Sequence, residues 1–495
     1  MLRRVLTPLL AACASVLALL VVAPPAQAAP VTLDNPNDFI GTNGAPVDAH
    51  GGGMIKHTDG YYYWFGENRH PNNTFKAVSV YKSADLKKWE WVGDALNQAS
   101  DPELKSAKIE RPKVIYNSTT KKFVMWMHKE NATDYVESRA AVAVSDEIEG
   151  PYDYLGSFQP PSGNDTAQTT ESRDMTLYVD KNADGSETAY QVTAAKDNAD
   201  LRIYKLNADF TGYADNPLVA NPWPGQKREA PALFKRDGVY FMLTSGLSGW
   251  NPNQQRYATA AGIAGPWTEM KDVGDGIAYD SQTTFVQPIQ GTSGNTSFLY
   301  MGDRWAGADK QGRNGPVNDS TYVWLPLTFP TRTTMNLPWY PKVEIDAAAG
   351  TVKGVGGGPY YNLVARHSDK CVDVQDNSAA DNGHVIHFAC NGGLNQQWRL
   401  EDAGGGYYRV LAQHSGKCLD VEGASTAKAF VNQYKCGSGQ NQQWKFEDQG
   451  YGYYRLVARH SGLCLDVPEG SAEDVRLIQY KCGTGTNQQF KRLTA

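Results

Sequence analysis

The first 300 residues alternate between short runs of aromatic and β-branched residues and short polar turns. Five such hydrophobic runs begin at Gly60, Lys122, Thr188, Gly238 and Ser297. Their composition is typical of β-strands, and turn sequences such as HTDG and KRDG precede several of them. The pattern predicts an all-β domain built from pairs of strands.

Each hydrophobic run follows a second predicted strand that opens with a polar residue. These five polar residues recur at similar intervals along the chain: His50, Glu110, Asp174, Glu229 and Gln282. Repeated units of this kind predict a five-bladed β-propeller over residues 29–346. Its innermost strands would direct the five polar residues toward a central pocket.

The last quarter of the chain carries a different, threefold repeat. Similar segments begin at Tyr360, Tyr407 and Tyr453, and each leads to an NQQW or NQQF motif. Because units of this length cannot bury a core alone, we expect residues 359–495 to pack around one axis as a closed β-trefoil. The small, Gly-rich residues 347–358 form either a linker or the last strand of the preceding domain.

The N-terminal segment has the order of a secretory signal. Two arginines precede an apolar run over residues 9–23, and an Ala-Gln-Ala cleavage site follows. The run is shorter than the roughly 20 apolar residues that span a bilayer, which opposes the alternative of a membrane anchor. We expect a signal peptide over residues 1–28 and a secreted, extracellular mature chain with no membrane partner.

Six of the seven cysteines lie in the threefold repeat. They form three couples of similar spacing: Cys371 with Cys390, Cys418 with Cys436, and Cys464 with Cys482. Six thiols allow many pairings, but a repeat in an exported chain favours one disulfide within each unit. Zinc binding is the alternative, and the lack of a Cys-x-x-Cys pair opposes it.

Composition restricts the class of partner. The net charge is −6 and no basic stripe occurs, so nucleic acid is not an expected partner. The 12 Trp and 27 Tyr residues supply enough rings to line sugar sites, because the apolar face of a pyranose stacks on an aromatic ring.

The threefold repeat resembles the ricin-type β-trefoil, carbohydrate-binding module family 13. The resemblance implies a sugar site in each repeat, made of an Asp, an aromatic ring and an Asn-Gln pair: Asp373, Phe388, Asn395 and Gln396; Asp420, Tyr434, Asn441 and Gln442; Asp466, Tyr480, Asn487 and Gln488. Phe388 replaces the more usual Tyr or Trp. Trp398, Trp444 and Phe490 of the NQQW and NQQF motifs are expected in the core.

The N-terminal domain resembles the five-bladed propellers of glycoside hydrolase family 43. The motifs AHGGG, IERP, SRDM, REAP and DSQTTFV are similar to those of one branch, the exo-β-1,3-galactanases. The resemblance implies an inverting enzyme that removes galactose from β-1,3-galactan, the backbone of arabinogalactan. The alternatives are another family 43 activity, such as arabinofuranosidase or xylosidase, and a lectin-like protein that has lost catalysis.

Hydrolysis with inversion needs a protonated acid and, on the opposite face of the sugar, a base that activates water. By the resemblance, Glu229 is the acid, and Asp174 tunes its pKa and contacts the sugar. The alternative is that both carboxylates are structural and pair with Arg228, Arg173 or Arg111. Alternation of side chains along a strand opposes that alternative.

The base is the unusual part of this sequence. Most family 43 enzymes carry an Asp at the start of the first blade, and here Asp48 in DAHGGG lies slightly before that position. In the galactanase branch, a Gln matching Gln282 is proposed to hold the water as an imidic tautomer, beside a Glu matching Glu110. Since a neutral amide is a poor base, we expect Glu110 and Gln282 to act together, with Asp48 as a lesser alternative.

Further sugar contacts follow from local similarity to the galactanase pocket: Glu67, Tyr135, Asn198, Ser248 and Trp250. We expect His50 to form hydrogen bonds in the pocket, because no second His or Cys stands at metal-ligand spacing. We expect no metal, no cofactor and a monomeric protein.

Overall fold

The computed structural model describes residues 29–163, 168–182, 184–274, 276–309, 313–355 and 360–494. Strands, with isolated bridges included, make up 51% of the described residues, which contain no α-helix, so the all-β prediction is confirmed. Among them, no helix is long and apolar enough to cross a membrane. The predicted signal peptide lies outside the described residues.

Five antiparallel sheets follow one another in the N-terminal unit, after β1 (Val31–Asp34). The first two sheets are β2 (His50–Lys56), β3 (Tyr62–Arg69), β4 (Phe75–Ser83) and β5 (Glu90–Asn97), then β6 (Ala107–Asn117), β7 (Lys122–Asn131), β8 (Arg139–Ser145) and β9 (Asp153–Phe158). The next two are β10 (Met175–Lys181), β11 (Glu187–Ala195), β12 (Asp200–Leu206) and β13 (Tyr213–Ala220), then β14 (Glu229–Arg236), β15 (Val239–Ser245), β16 (Gln255–Ala260) and β17 (Lys271–Val273). The fifth is β18 (Gln282–Gln290), β19 (Thr296–Arg304) and β20 (Thr321–Pro326).

The first strands of the five sheets close a ring. Each first strand contacts the first strand of the next sheet, and β18 contacts β2. Every predicted strand pair forms the first hairpin of a sheet. Sheets arranged radially around a central ring are typical of a β-propeller.

A backbone kink recurs near the start of four of these first strands. The pairing register shifts between His50 and Gly53, between Glu110 and Lys113, between Glu229 and Ala232, and just after Thr283. Arg111 and Ala230 have positive φ angles of 54° and 50° at these kinks. A β-bulge of this kind redirects side chains and breaks the simple alternation of faces.

The two ends of the N-terminal unit pair with each other. β1 pairs with β21 (Lys342–Asp346), which in turn pairs with β22 (Thr351–Val355). Asn35, just after β1, donates to the carbonyl of Trp324 at 2.6 Å. The Gly-rich segment therefore supplies the last strand of this unit up to residue 355, and residues 356–358 lie outside the described residues.

The largest buried cluster lies where the fifth sheet meets the first. Trp64 and Trp324 have ring centroids 5.1 Å apart, and Phe39 lies 4.6 Å from Trp324. All three are 3% exposed or less. This packing joins the last sheet to the first, so it stabilises the ring that surrounds the central pocket.

The C-terminal unit is one closed set of short strands, β23 (Tyr360–Ala365), β24 (Cys371–Val374), β25 (Gly383–Phe388), β26 (Gln397–Gly404), β27 (Tyr407–Ala412), β28 (Cys418–Val421), β29 (Ala429–Tyr434), β30 (Gln443–Asp448), β31 (Tyr453–Ala458), β32 (Cys464–Asp466), β33 (Val475–Arg476), β34 (Ile478–Tyr480) and β35 (Phe490–Thr494). β23 pairs with β35, so the first repeat contacts the last. Trp398, Trp444 and Phe490 have no exposed area, as predicted. This arrangement is compatible with a β-trefoil.

Short 3-10 turns complete both units. They are Pro102–Leu104, Val317–Asp319, Gln375–Asn377, Leu394–Gln396, Glu422–Ala424, Gln440–Gln442, Pro468–Gly470 and Thr486–Gln488. In the C-terminal unit they fall at equivalent positions of the three repeats, and three of the six carry the predicted Asn-Gln pairs: Leu394–Gln396, Gln440–Gln442 and Thr486–Gln488.

The three predicted disulfides are confirmed. Each closes within its own repeat: Cys371–Cys390, Cys418–Cys436 and Cys464–Cys482. Each first cysteine is fully buried.

We expect reduction to destabilise the C-terminal unit and to leave the N-terminal unit, residues 29–355, largely unchanged, because that unit has no cysteine. Closing a loop of this length contributes about 3 kcal/mol in the chain-entropy model. Guanidinium titrations with and without reductant, read by near-ultraviolet circular dichroism, measure both units. An equal shift of every transition, or no shift at all, would contradict the assignment.

Candidate active site

A cavity of about 200 Å³ opens at the centre of the ring of first strands. Eight predicted residues line it: Glu67, Glu110, Tyr135, Asp174, Asn198, Glu229, Trp250 and Gln282. Six further lining residues had not been predicted for the pocket: Arg69, Arg111, His128, Arg173, Gly249 and Trp305. The pattern of polar residues at strand starts thus located three of the four carboxylates in the lining and none of its four basic residues.

His50 and Ser248 do not line the cavity. His50 is 1% exposed, with its ring stacked on Tyr322 at 5.0 Å and its Nδ1 atom 3.5 Å from a carboxylate oxygen of Asp303. Ser248 donates to the carbonyl of Asn251, within the loop that carries Trp250. Both residues brace parts of the wall, and their contact with substrate stays a prediction.

Asp48 also lies outside the lining. Its backbone N–H donates to the Tyr81 hydroxyl at 3.0 Å, and its carboxylate bonds the side chain of Asn318. Burial raises the pKa of Asp48 above its usual value. The half-buried Asp48 therefore lies two residues before β2, with its carboxylate held by Asn318.

Glu229 opens β14 and is 8% exposed. Burial, reinforced by the nearby charge of Asp174, raises the pKa of Glu229 to about 8. Its Oε1 atom accepts a hydrogen bond from the Gln282 amide at 3.1 Å. Glu229 is consequently protonated at neutral pH, with Oε1 engaged and Oε2 left to carry the proton.

Asp174 immediately precedes β10 and bridges three sheets. Its Oδ2 atom lies 3.0 Å from an Arg111 guanidinium nitrogen and accepts from the Ala230 backbone N–H at 3.1 Å. The expectation that strand alternation keeps the carboxylates from pairing with arginine is therefore wrong for Arg111. The kink at Glu110 places both Glu110 and Arg111 in the cavity wall.

The Gln282 amide is held by four partners. Its oxygen accepts from Arg111 at 2.6 Å and from the Trp305 indole N–H at 2.8 Å. Its nitrogen donates to Glu229 at 3.1 Å and to the Ser245 hydroxyl at 2.9 Å. Arg and Trp side chains can only donate, so these contacts fix which end of the amide is oxygen.

Glu110 lies in a network of opposite charge. Its carboxylate accepts from Arg69 at 3.0 Å and from the Tyr135 hydroxyl at 2.7 Å, and it lies 3.3 Å from Nδ1 of His128. Burial opposes ionisation, but the charge of Arg69 and these hydrogen bonds hold the pKa of Glu110 well below its usual value. Glu110 is therefore an ionised carboxylate beside a protonated Glu229.

Arg69 also pairs with Glu67, so it neutralises two buried carboxylates. Burial raises the pKa of Glu67 to about 7 despite this arginine. The Arg69 guanidinium lies 5.4 Å from the ring of Trp250, which packs edge-on against Trp305 at 4.9 Å. Two indoles and one guanidinium therefore form one side of the cavity.

Glu110, His128 and Asp174 bring possible metal ligands within 4.8 Å of one another. Burial opposes protonation of His128, but the hydrogen bonds that its ring donates to the Glu110 and Glu130 carboxylates raise its pKa to about 9. These residues also take part in ion pairs, Glu110 with Arg69 and His128, and Asp174 with Arg111.

Each repeat of the C-terminal unit contains the predicted Asp, Asn and Gln in mutual contact. Asp373 accepts from Asn395 at 2.9 Å and from Gln396 at 2.8 Å. The equivalent bonds join Asp420 to Asn441 and Gln442, and Asp466 to Asn487 and Gln488. One carboxylate oxygen of each Asp is thus fixed by two amides.

The aromatic residues of these three sites differ in exposure. Phe388 is half-buried, whereas Tyr434 and Tyr480 are 41% and 49% exposed. The second and third repeats therefore present a freer aromatic face than the first does.

The sequence matches two family profiles. The profile of glycosyl hydrolases family 43 matches residues 47–299. The profile of ricin-type beta-trefoil lectin-like domains matches three overlapping segments, residues 349–434, 394–480 and 440–495. The comparison with curated protein sequences gave no match.

Solved structures of several family 43 enzymes are similar to this chain. An exo-β-1,3-galactanase from Clostridium thermocellum is 44% identical, covering 94% of this chain and 100% of its own, with a TM-score of 0.65. A family 43 β-1,3-galactosidase solved with galactodeoxynojirimycin is 33% identical over 62% of this chain and 99% of its own, with a TM-score of 0.56. An exo-β-1,3-galactanase from Phanerochaete chrysosporium, solved with galactose, is 25% identical over 94% of this chain and 93% of its own, with a TM-score of 0.59.

The matches agree with the structure. The N-terminal unit is a ring of sheets around a carboxylate-lined cavity, and the C-terminal unit has three disulfide-closed repeats. The chain belongs to glycosyl hydrolase family 43, a family of β-propeller glycoside hydrolases, and it carries a C-terminal ricin-type β-trefoil domain.

Proposed function

We propose that the protein is a secreted exo-β-1,3-galactanase that hydrolyses the β-1,3-galactan backbone of arabinogalactans with inversion and releases galactose. The observation that carries this proposal is a pair of buried carboxyl groups in one small cavity, Glu229 and Glu110, whose pKa values are shifted in opposite directions. The similarity to exo-β-1,3-galactanases over most of the chain supports the choice of substrate. A cavity of about 200 Å³ favours removal of one terminal sugar at a time.

The proposed architecture is a monomeric five-bladed propeller followed by the trefoil over residues 359–495. Five sheets in a closed ring support the blade count. We extend the catalytic domain from residue 346 to residue 355, because β22 pairs with β21. The three disulfides favour an oxidising, extracellular location.

Glu229 is the proposed general acid. Its raised pKa keeps a proton available for the leaving oxygen, and the hydrogen bond from Gln282 holds the carboxyl group in one orientation. Asp174 tunes this acid, because its negative charge disfavours ionisation of Glu229. The Arg111 guanidinium fixes Asp174 in place at 3.0 Å.

Glu110 and Gln282 are the proposed base-side pair. Arg69 and Tyr135 donate hydrogen bonds to the Glu110 carboxylate. Because a carboxylate has about four acceptor positions, Glu110 can still accept a proton from water. All hydrogen-bonding positions of the Gln282 amide are already used within the protein. We therefore assign proton acceptance to Glu110 and orientation of the reacting groups to Gln282.

The remaining lining residues suit recognition of a single galactose. Glu67, Tyr135 and Asn198 offer polar groups in the wall, and Trp250 offers a ring for the sugar face. The three Asp-Asn-Gln clusters of the trefoil are proposed to bind galactose units of the same polymer. Several weak sites on one chain increase the overall affinity for a polymer by avidity.

Replacing Glu229 with Gln should abolish turnover while the protein still folds and binds galactan. The change keeps the shape of the side chain and removes the transferable proton, and general acid catalysis contributes about a hundred- to ten-thousand-fold. Galactose release from β-1,3-galactan measures the effect, with melting temperature and galactan binding as controls. Retention of more than about a tenth of the activity would show that another residue is the acid.

The pH profile of kcat/KM should have its alkaline limb near the raised pKa of Glu229, about 8. The acid must be protonated to work, so activity falls as pH rises through that value. In Asp174→Asn the neighbouring negative charge is lost, the pKa of Glu229 falls, and the limb should move to lower pH. An unchanged limb in Asp174→Asn would contradict the tuning role.

Glu110→Gln and Gln282→Ala should each reduce kcat severely, whereas Asp48→Asn should have only a mild effect. Glu110 and Gln282 line the cavity, and Asp48 lies outside the lining. The three variants are compared by initial rates on β-1,3-galactan, with melting temperatures as the control for folding. An inactive Asp48→Asn beside a nearly normal Gln282→Ala would overturn the assignment.

A further inference from the structure

A second and larger cavity, of about 450 Å³, lies between the propeller and the trefoil. Asp280, Arg313 and Trp339 form part of its wall on the propeller side. Ala379 and Leu394 form part of its wall on the trefoil side. Neither domain alone encloses this space, so the cavity is a product of how the two are joined.

The propeller wall combines an aromatic ring with fixed charges. The half-buried Trp339 packs against Tyr279, with ring centroids 5.4 Å apart. Asp280 pairs with both Arg304 and Arg313, through one and the same carboxylate oxygen. Its other oxygen, and one Arg313 guanidinium nitrogen, are buried without a hydrogen-bond partner in the part of the chain that the structure describes.

The trefoil wall differs from the equivalent surfaces of the other repeats. Leu394 is half-buried, whereas the equivalent Gln440 and Thr486 are polar and exposed. Gln413 of the second repeat lines the cavity. The equivalent residues of the first and third repeats are Arg366 and Arg459, which do not line it. The trefoil thus departs from its internal repeat on the side that faces the propeller.

Gln413 also retains hydrogen-bonding capacity. Arg366 and Arg459 each lie 4.7 Å from a tyrosine ring and donate to a glutamine side chain of the neighbouring repeat. Gln413 is 9% exposed, and its side-chain oxygen is buried with no partner among the described residues. Buried polar groups are normally satisfied, so this oxygen points to a hydrogen-bonding ligand or to bound water.

The cavity lies between two sugar sites. The turn of Asp376 and Asn377 lines both this cavity and the pocket around Asp373 in the first trefoil repeat. On the other side, Arg313 donates to the backbone carbonyl of Trp305 at 3.0 Å, and the Trp305 indole reaches Gln282 in the catalytic cavity. The interdomain cavity therefore shares the turn of Asp376 and Asn377 with the first trefoil site, and the hydrogen bond from Arg313 to Trp305 links it to the catalytic cavity.

We propose that this interdomain cavity is a further binding site for galactopyranosyl units of the polymer whose terminal sugar occupies the catalytic cavity. Aromatic surface beside a few fixed polar groups is the arrangement that binds neutral sugars. The site holds the polymer between the catalytic cavity and the first trefoil repeat. This inference rests on the proposed galactanase function.

A substitution that fills the cavity from the exposed trefoil side tests the proposal. Ala379→Trp places a large ring in the cavity, and Ala472→Trp places the same ring at the equivalent exposed position of the third repeat, outside the cavity lining. With β-1,3-galactan, Ala379→Trp should raise KM about fivefold to tenfold and leave kcat unchanged. With β-1,3-galactobiose, which has only one sugar beyond the galactose in the catalytic cavity and is too short to fill the interdomain cavity, both variants should behave as the parent does.

Branched arabinogalactan and linear β-1,3-galactan distinguish whether side chains or the backbone occupy the site. A larger effect on the branched polymer assigns side chains, and an equal effect on both assigns the backbone. Equal KM values of Ala379→Trp and Ala472→Trp on both polymers would show that the cavity holds only solvent. Affinity for both polymers in the Glu229→Gln background gives the same comparison without turnover, so it decides the inference even if no galactan is hydrolysed.

Discussion

The central cavity depends on the contacts that the buried Arg111 guanidinium makes with its neighbours. It pairs with Asp174, donates to the Gln282 amide and donates to the Thr283 carbonyl, so it joins the second, third and fifth sheets at their inner ends. Asp174 extends the link to the fourth sheet through the backbone N–H of Ala230. A buried charge is tolerated only when it is paired and hydrogen-bonded, so loss of Arg111 would leave Asp174 uncompensated.

The same network separates the ionisation of the two carboxyl groups that are proposed to be catalytic. Glu229 lies next to Asp174 and accepts a hydrogen bond from the neutral amide of Gln282. Burial and the like charge of Asp174 therefore keep Glu229 protonated. Glu110 lies next to Arg69 and His128, so opposite charge keeps it ionised. Two carboxyl groups in one cavity thereby differ in charge at neutral pH, as an acid and a base must.

The sequence predicted the strands and most of the carboxylates, because each depends on local pattern. Glu110 and Glu229 stand at the starts of aromatic-rich strand pairs, and the ring of first strands brings such positions together. The same reasoning placed His50 in the pocket, but the structure buries His50 beside Asp303, outside the cavity. The position of a polar residue at the start of a strand therefore predicts that it lies near the propeller axis, but it does not predict that its side chain lines the cavity.

The pairing of Arg111 with Asp174 could not be predicted from strand alternation. Arg111 follows Glu110 directly, and an ideal strand would place the two on opposite faces. The bulge between Glu110 and Lys113, with Arg111 at a φ of 54°, turns both toward the cavity. Arg69 likewise lies at the end of β3, and nothing in the local sequence indicates that it joins Glu67 to Glu110.

We propose that Glu229 and Glu110 act from opposite faces of a terminal galactose, with water as the nucleophile. Proton NMR of the sugar first released from β-1,3-galactan tests it most directly, because attack from the face opposite the leaving group inverts the anomeric carbon. We expect initial release of α-galactose, followed by mutarotation. Initial release of β-galactose would require a covalent intermediate and would overturn the assignment of Glu229 and Glu110, as would the absence of any galactose release.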